Sequence, residues 1–182
     1  MTSSSLLFTT HFALAFCRAF TSTNMMKSVG LVLLLIATFA YSSVEGSSNC
    51  GSSVAKAIYE KQVLKDALNA CKSDRMGSAA LTALAAQATC KDYEFNEANG
   101  GKCDEVAAPY MKCVAGKLGY LNYGGSIHYQ MIFDQYKSYA VARGTLCKNQ
   151  YDNGVRVCGT TISNYAFLGK AGCIINAMYQ SG

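Results

Sequence analysis

From Val54 onward the apolar residues Val54, Ala57, Leu64, Leu68 and Cys71 return at helical spacing with charged residues between them, and Ser52 or Ser53 stands where an N-cap belongs. The pattern predicts a first helix ending near Ser73. Gly77-Ser78 reads as a turn and cap before a second helix, Ala79 to Thr89, with Leu81, Leu84, Ala85 and Ala88 on one face. Between Lys91 and Lys102 the chain turns polar, and Asn99-Gly100-Gly101 marks a break. Asp104-Glu105 can cap the helix after that break. Pro109 sits either in a first helical turn or at a kink in a helix begun at Asp104, and in both cases Tyr110 to Leu118 is helical.

Gly119 stops that helix, and Asn122-Tyr123-Gly124-Gly125 forms a turn. The most amphipathic stretch comes next, with Ser126 as N-cap and Tyr129, Ile132, Phe133, Tyr136 and Ala140 along one face. Arg143-Gly144 ends it. Cys147 to Cys158 suits either a helix of two turns or a bridged loop around Asp152-Asn153-Gly154. Gly159 to Asn164 is a connector, with Ser163 or Asn164 the cap of a last helix carrying Phe167, Leu168, Ile174, Ile175 and Met178. Gly169 and Gly172 inside it each cost about 1 kcal/mol relative to alanine, so they mark the close approach of another backbone. No segment alternates with the period of a half-buried strand for more than a few residues. The predicted fold is all-α, a single disulfide-bridged domain of about five or six helices.

The domain is preceded by a leader, residues 1–46. Met25-Met26-Lys27 forms a short charged n-region, Val29 to Phe39 an apolar h-region too short to span a bilayer, and Val44-Glu45-Gly46 a cleavage site, with the cut after Gly46. A weaker apolar run, Leu6 to Phe16, lies upstream with Cys17; it reads as part of a longer signal or, by preference, as sequence ahead of a true start at Met25 or Met26. The remaining cysteines, Cys50, Cys71, Cys90, Cys103, Cys113, Cys147, Cys158 and Cys173, all fall in 47–182. An even number behind a secretory signal predicts a fully bridged, secreted, extracellular domain.

Charge and chemistry narrow the function mainly by exclusion. The net charge of the full chain is +5, and its basic residues are scattered, without the run that marks nucleic-acid binding. No stable membrane anchoring is expected beyond the leader. His128 is the only histidine of 47–182, and no carboxylate lies one turn from it, so a nucleophile–histidine centre has little to build on. Cysteines at least nine residues apart lack zinc-site spacing. Asp104-Glu105 and Asp92 with Glu94 read as cap and loop carboxylates, not as a glycosidase pair. The chain is expected to be no enzyme and to carry no cofactor or metal.

What remains is aromatic. Tyr120, Tyr123, Tyr129, Phe133, Tyr136 and Tyr139 crowd into one helix-turn-helix region that Met111, Met131, Phe167 and Met178 can join. Tyrosine offers a large ring and one hydroxyl, which suits a pocket for an apolar molecule with one polar end. The candidate pocket residues are Met111, Tyr120, Tyr129, Ile132, Phe133, Tyr136, Phe167 and Met178. The plainer alternative is that these rings are core and their hydroxyls reach water.

The run Tyr110-Met111-Lys112-Cys113-Val114-Ala115-Gly116-Lys117-Leu118-Gly119-Tyr120-Leu121-Asn122, followed by Gly125-Ser126-Ile127, resembles the third helix of arthropod odorant-binding proteins and the glycine turn after it. Cys113, Cys147, Cys158 and Cys173 then match that family's third to sixth cysteines, and the match covers about half of the domain, mainly residues 110–158. Pro109 stands where the family usually has its second cysteine, the Cys158 to Cys173 spacing is longer than usual, and Cys50 is one of two additional cysteines. The resemblance implies an interlocked pairing of Cys90 with Cys113, Cys103 with Cys158 and Cys147 with Cys173, leaving Cys50 with Cys71. It also implies a secreted carrier whose partner is a small apolar ligand. The alternative of another class is a secreted effector, such as a venom, salivary or antimicrobial protein, acting through its surface on a macromolecule or membrane. The two are separated by whether the Tyr129, Phe133 and Tyr136 stripe faces an enclosed volume or a solid core.

Overall fold

A computed structural model describes residues 50–96 and 101–181. The leader, Cys17, the cleavage site and the Asn99-Gly100 break lie outside the described residues. Those described are helical and stapled, with no β-strand beyond one isolated bridge, Leu121 with Ile127. We number the helices α1 (50–59), α2 (Gln62–Lys72), α3 (Arg75–Ala86), α4 (Lys102–Lys117), α5 (Tyr129–Val141), α6 (Thr145–Cys158) and α7 (Phe167–Gln180). A 3-10 turn, Ala88–Cys90, follows α3. The all-α, disulfide-bridged domain is thus present, with more helical segments than the periodicity predicts.

The difference arises at three places. The expected first helix is two: the chain breaks at Glu60 and Lys61, where Lys61 takes extended backbone angles, and Ser52 and Ser53 lie inside α1. The second helix starts earlier, because the Asp74 carboxylate accepts from the backbone N–H of Met76 and Gly77 and caps it. Gly77 and Ser78 therefore lie in the helix, while Ala85 and Ala88 are exposed and the buried face is Gly77, Ala80 and Leu84. The stretch from Cys147 to Cys158 is helix throughout, and Asn153-Gly154 is no turn: a Cβ on Gly154 would stand 2.8 Å from the carbonyl oxygen of Ile174, so glycine there lets α6 lie against α7.

Other boundaries follow local chemistry. Pro109 lies inside α4, a helix begun at Lys102. Gly119, with φ of 75°, ends it as the N–H of Tyr120 reaches back to the carbonyl of Ala115. His128, not Ser126, caps α5, its Nδ1 accepting from the N–H of Met131 at 3.3 Å. Neither Ser163 nor Asn164 caps α7; its N-cap position is Ala166, preceded by Asn164 and Tyr165 with positive φ.

The helices pack as two groups, α2 with α3 and α4, and α5 with α6 and α7. Val54 and Ile58 of α1 are buried in the common core. The most buried element is α7, which buries Phe167, Leu168, Ala171, Ile174, Ile175 and Met178. Gly172 stands where a Cβ would overlap the carbonyl oxygen of Asn96, which realises the expected backbone approach.

The disulfides correct the interlocked pairing. They join Cys50 with Cys147, Cys71 with Cys113, Cys90 with Cys103 and Cys158 with Cys173, with Cα–Cα distances of 5.5 to 6.0 Å. The reason is proximity. The 3-10 turn after α3 delivers Cys90 to the first turn of α4 and so to Cys103, while the end of α6 delivers Cys158 to Cys173 on the neighbouring α7. Cys71 and Cys113 join the packed pair α2 and α4. The longest loop, closed by Cys50 and Cys147, ties α1 to α6.

Peptide mapping without reductant is expected to return these four pairs and no labelled thiol. Removing the Cys50–Cys147 bridge as a double serine variant should cost about 2 to 5 kcal/mol in urea unfolding, because its loop of 97 residues is the longest of the four. Two glycine replacements should move in opposite directions. Gly172→Ala should lower stability by about 1 to 3 kcal/mol through the clash with Asn96. Gly116→Ala, on an exposed turn of α4 with only a side-chain atom of Leu121 at 3.5 Å, should raise it by about 0.5 to 1 kcal/mol.

Candidate functional site

The amphipathic face of α5 points into the molecule and finds it full. Ile132, Phe133 and Tyr136 are 0%, 7% and 2% exposed. Their neighbours from α7 and α4, Phe167, Met178 and Met111, are buried as completely. The polar end of each buried tyrosine is used inside the fold. Tyr136 donates to the carbonyl of Phe167, Tyr151 to that of Phe133 at 2.9 Å, Tyr110 to that of Leu68 at 3.0 Å, and Tyr59 to that of Leu168 at 3.1 Å. Tyr120 donates to Oε1 of Gln135 and sets its ring edge-on to Phe167, 5.5 Å between centroids. The phenols of Tyr59, Tyr110, Tyr136 and Tyr151 stitch one helix to the backbone of another, and of the tyrosines expected to line a pocket Tyr136 and Tyr120 are held by such internal bonds.

A shallow cleft does open at one edge of this core, between the start of α2, the end of α4, α5 and the start of α7. Its apolar floor includes Ile58, Leu64, Phe167 and Leu168, its rim Lys61 and Tyr139, and its volume is about 20 Å³. That is room for one or two waters, against roughly 300 to 1,000 Å³ for pockets that enclose drug-sized ligands. Of the eight candidate pocket residues the structure brings three to the cleft, Tyr120, Tyr136 and Phe167. Met111, Ile132, Phe133 and Met178 lie in the core away from it, and Tyr129 is 52% exposed on the outer side of α5. Lys61, Gln135 and Leu168 were not legible as site residues. Gln135 and Tyr139 border the Tyr136 stripe on the helical wheel, whereas nothing local marks Lys61.

The second feature is a short hairpin between α4 and α5. Leu121 pairs with Ile127, the N–H of Asn122 donates to the carbonyl of Ser126, the N–H of Gly125 to that of Asn122, and the N–H of His128 to that of Tyr120. From the far side, the Tyr165 hydroxyl donates to the Gly125 carbonyl at 3.0 Å, and Lys112 Nζ lies 5.6 Å from the Tyr165 ring. Gly125, with φ of 74°, makes the turn. At the tip of this held loop Tyr123 projects fully, with 114% relative exposure. Tyr129 and Met131 at the start of α5 add exposed apolar surface.

His128 is occupied as a helix cap, and Asp134 accepts from the Gln130 amide, so neither is set up as an acid–base partner of the other. Among the described residues no group of three or more His, Cys, Asp or Glu side chains is placed to hold a metal ion, and no helix is long and apolar enough to cross a membrane. A scan against protein-family models, a search of curated proteins and a search of solved structures each return no match for the chain.

Burial raises the phenol pKa of Tyr120 to about 12 and drives those of Tyr59, Tyr136 and Tyr151 well above the ordinary value. The folded state therefore holds these protons when the unfolded chain, near pH 10, releases them. The resulting stability is complete below about pH 10 and is lost as pH climbs toward the folded values. Lys170, lowered by burial, acts in the opposite sense but is outnumbered. Urea unfolding followed from pH 8 to 12 should show a stability that falls steeply above about pH 10, with phenolate absorbance from the buried rings appearing together with the loss of helix.

Proposed function

We propose that this is a secreted, extracellular disulfide-bridged protein that acts through its outer surface on a macromolecular partner, and that no lipophilic cargo occupies its interior. The observation that carries the reading is the filled core: Phe133 and Tyr136 of the aromatic stripe that would line a carrier's cavity are buried among the core side chains, and the one buried hydroxyl of the stripe, that of Tyr136, is bonded to the Phe167 carbonyl. The Tyr123 hairpin supports it. A rigid loop that presents one wholly exposed tyrosine supplies contact area at little entropic cost, the property that makes tyrosine frequent at binding hot spots. The bridges suit a protein that must keep such a surface outside the cell, where thiols oxidise. The interlocked pairing was the most specific structural consequence of the odorant-binding resemblance, and the observed pairs differ from it, so the resemblance adds no support for a carrier.

The test uses an apolar fluorescent probe and a photo-crosslinking residue. Titration of native protein with the probe should show no saturable one-to-one binding in the micromolar range, which corresponds to about −8 kcal/mol. A photo-crosslinking side chain at position 123 should give a discrete adduct in the fluid where the protein is found, while one at the exposed position Tyr179 gives none. Saturable probe binding that a long-chain alcohol displaces, with a matching rise in melting temperature, would return the protein to the carriers.

A further inference from the structure

The cleft carries one charged residue and no acid. Lys61 Nζ donates to the Tyr139 hydroxyl at 2.6 Å and stands 4.3 Å from the centre of that ring, so its partners are a neutral phenol and a π face. The acids nearest in sequence are turned to other partners: Glu60 faces Lys56 at 3.9 Å, and Asp66 accepts from Gln62. By contrast, Lys137 and Lys148 both reach Asp152. Below Lys61 the floor is largely apolar, and the polar side chains that share the lining are uncharged: the hydroxyls of Tyr120 and Tyr136 are already donating, the first of them to the Gln135 amide oxygen. An apolar depression with a cation at its lip and no carboxylate in its lining is complementary to an apolar group that has an anion beside it.

Size and position decide what brings that group. About 20 Å³ cannot enclose an acyl chain, but it can seat the end of one side chain whose remainder rests on the rim. The cleft is also continuous with the hairpin: Tyr120 lines it, and the carbonyl of the same residue accepts from the N–H of His128 at the hairpin's base. We propose that the cleft is the docking site for an acidic, apolar segment of a partner protein, one apolar side chain entering over Leu168 and Phe167 while a neighbouring carboxylate takes Lys61 from Tyr139. The proposal rests on the surface-acting reading and names the chemistry of that partner.

Lys61 is exposed and makes no side-chain cap bond to α2, so Lys61→Met keeps the fold and the apolar stem while removing the charge. The probes are the blocked dipeptides acetyl-Leu-Glu-amide and acetyl-Leu-Gln-amide, titrated into isotope-labelled, fully oxidised protein and followed by amide chemical shifts. The glutamate dipeptide should move resonances of Lys61, Leu64, Tyr139 and Leu168 and bind about two- to fivefold more tightly than the glutamine one, the range of a partly exposed ion pair. Lys61→Met should bind both equally, with its amide resonances away from the cleft unshifted from those of the native protein. Equal binding of the two dipeptides to native protein, shifts confined to other surfaces, or a preference that survives Lys61→Met would overturn the proposal. So would tighter binding of decanoate than of either dipeptide at the same resonances, which would make the cleft a site for a free amphiphile. These outcomes leave the surface-acting reading standing; that reading fails separately, if the apolar fluorescent probe binds inside the native core.

Discussion

The closeness of α7 to its neighbours is the constraint on which the rest of the molecule depends. Gly172 admits the carbonyl of Asn96, and Gly154 of α6 admits the backbone of Ile174, contacts that a single methyl group would block. Gly51 of α1 likewise lies under the ring of Tyr179. Once α7 sits this deep, the phenols of Tyr59 and Tyr136 reach the carbonyls of Leu168 and Phe167 in its first turn, and Lys170 reaches the carbonyl of Cys158 at 2.7 Å. Small residues thus set the spacing, and hydrogen bonds made by large ones fix the register. The same spacing sets Tyr136 of α5 against the first turn of α7, beside a cleft of about 20 Å³.

The bridges reinforce packing that the helices already make. Three of the four join elements within one packed group, and each closes a loop of at most 42 residues, whereas Cys50–Cys147 closes 97 and joins the start of the described chain to α6. In the loop-entropy view that long bridge removes the most freedom from the unfolded chain, although the dependence on length is only logarithmic. A domain so braced can present a strained connection on its surface. Asn164 and Tyr165 hold positive φ, an arrangement that costs of the order of 1 to 3 kcal/mol per residue, and the Tyr165 hydroxyl uses it to brace the Gly125 turn.

Much of this was legible in the sequence where the signal is local. The stop at Gly119, the turn through Gly125 and the buried face of α5 follow from glycine chemistry and helical period. The break at Lys61 was not, since neither glycine nor proline announces it and the apolar spacing runs on across it. Asp74 did carry a readable cap signal, but the glycine at Gly77 drew the boundary away from it; that glycine serves packing, as does Gly154. Cysteine pairing depends on which helices become neighbours, information that spacing along the chain does not hold, and a pattern borrowed from a resemblance misassigned every pair. For the site, sequence found the tyrosines but could not tell a lined cavity from a stitched core, because ring and hydroxyl serve both.

A surface-acting protein and a carrier built from the same helices differ in what they hold when isolated from their source. Native mass spectrometry of the protein purified from that source without reductant asks the question directly. A single species is expected, beginning at or near Ser47, whose mass is that of residues 47–182 less the eight hydrogens of four bridges, with nothing bound. A co-purified apolar molecule of fixed mass, retained one per chain and released on unfolding, would contradict it.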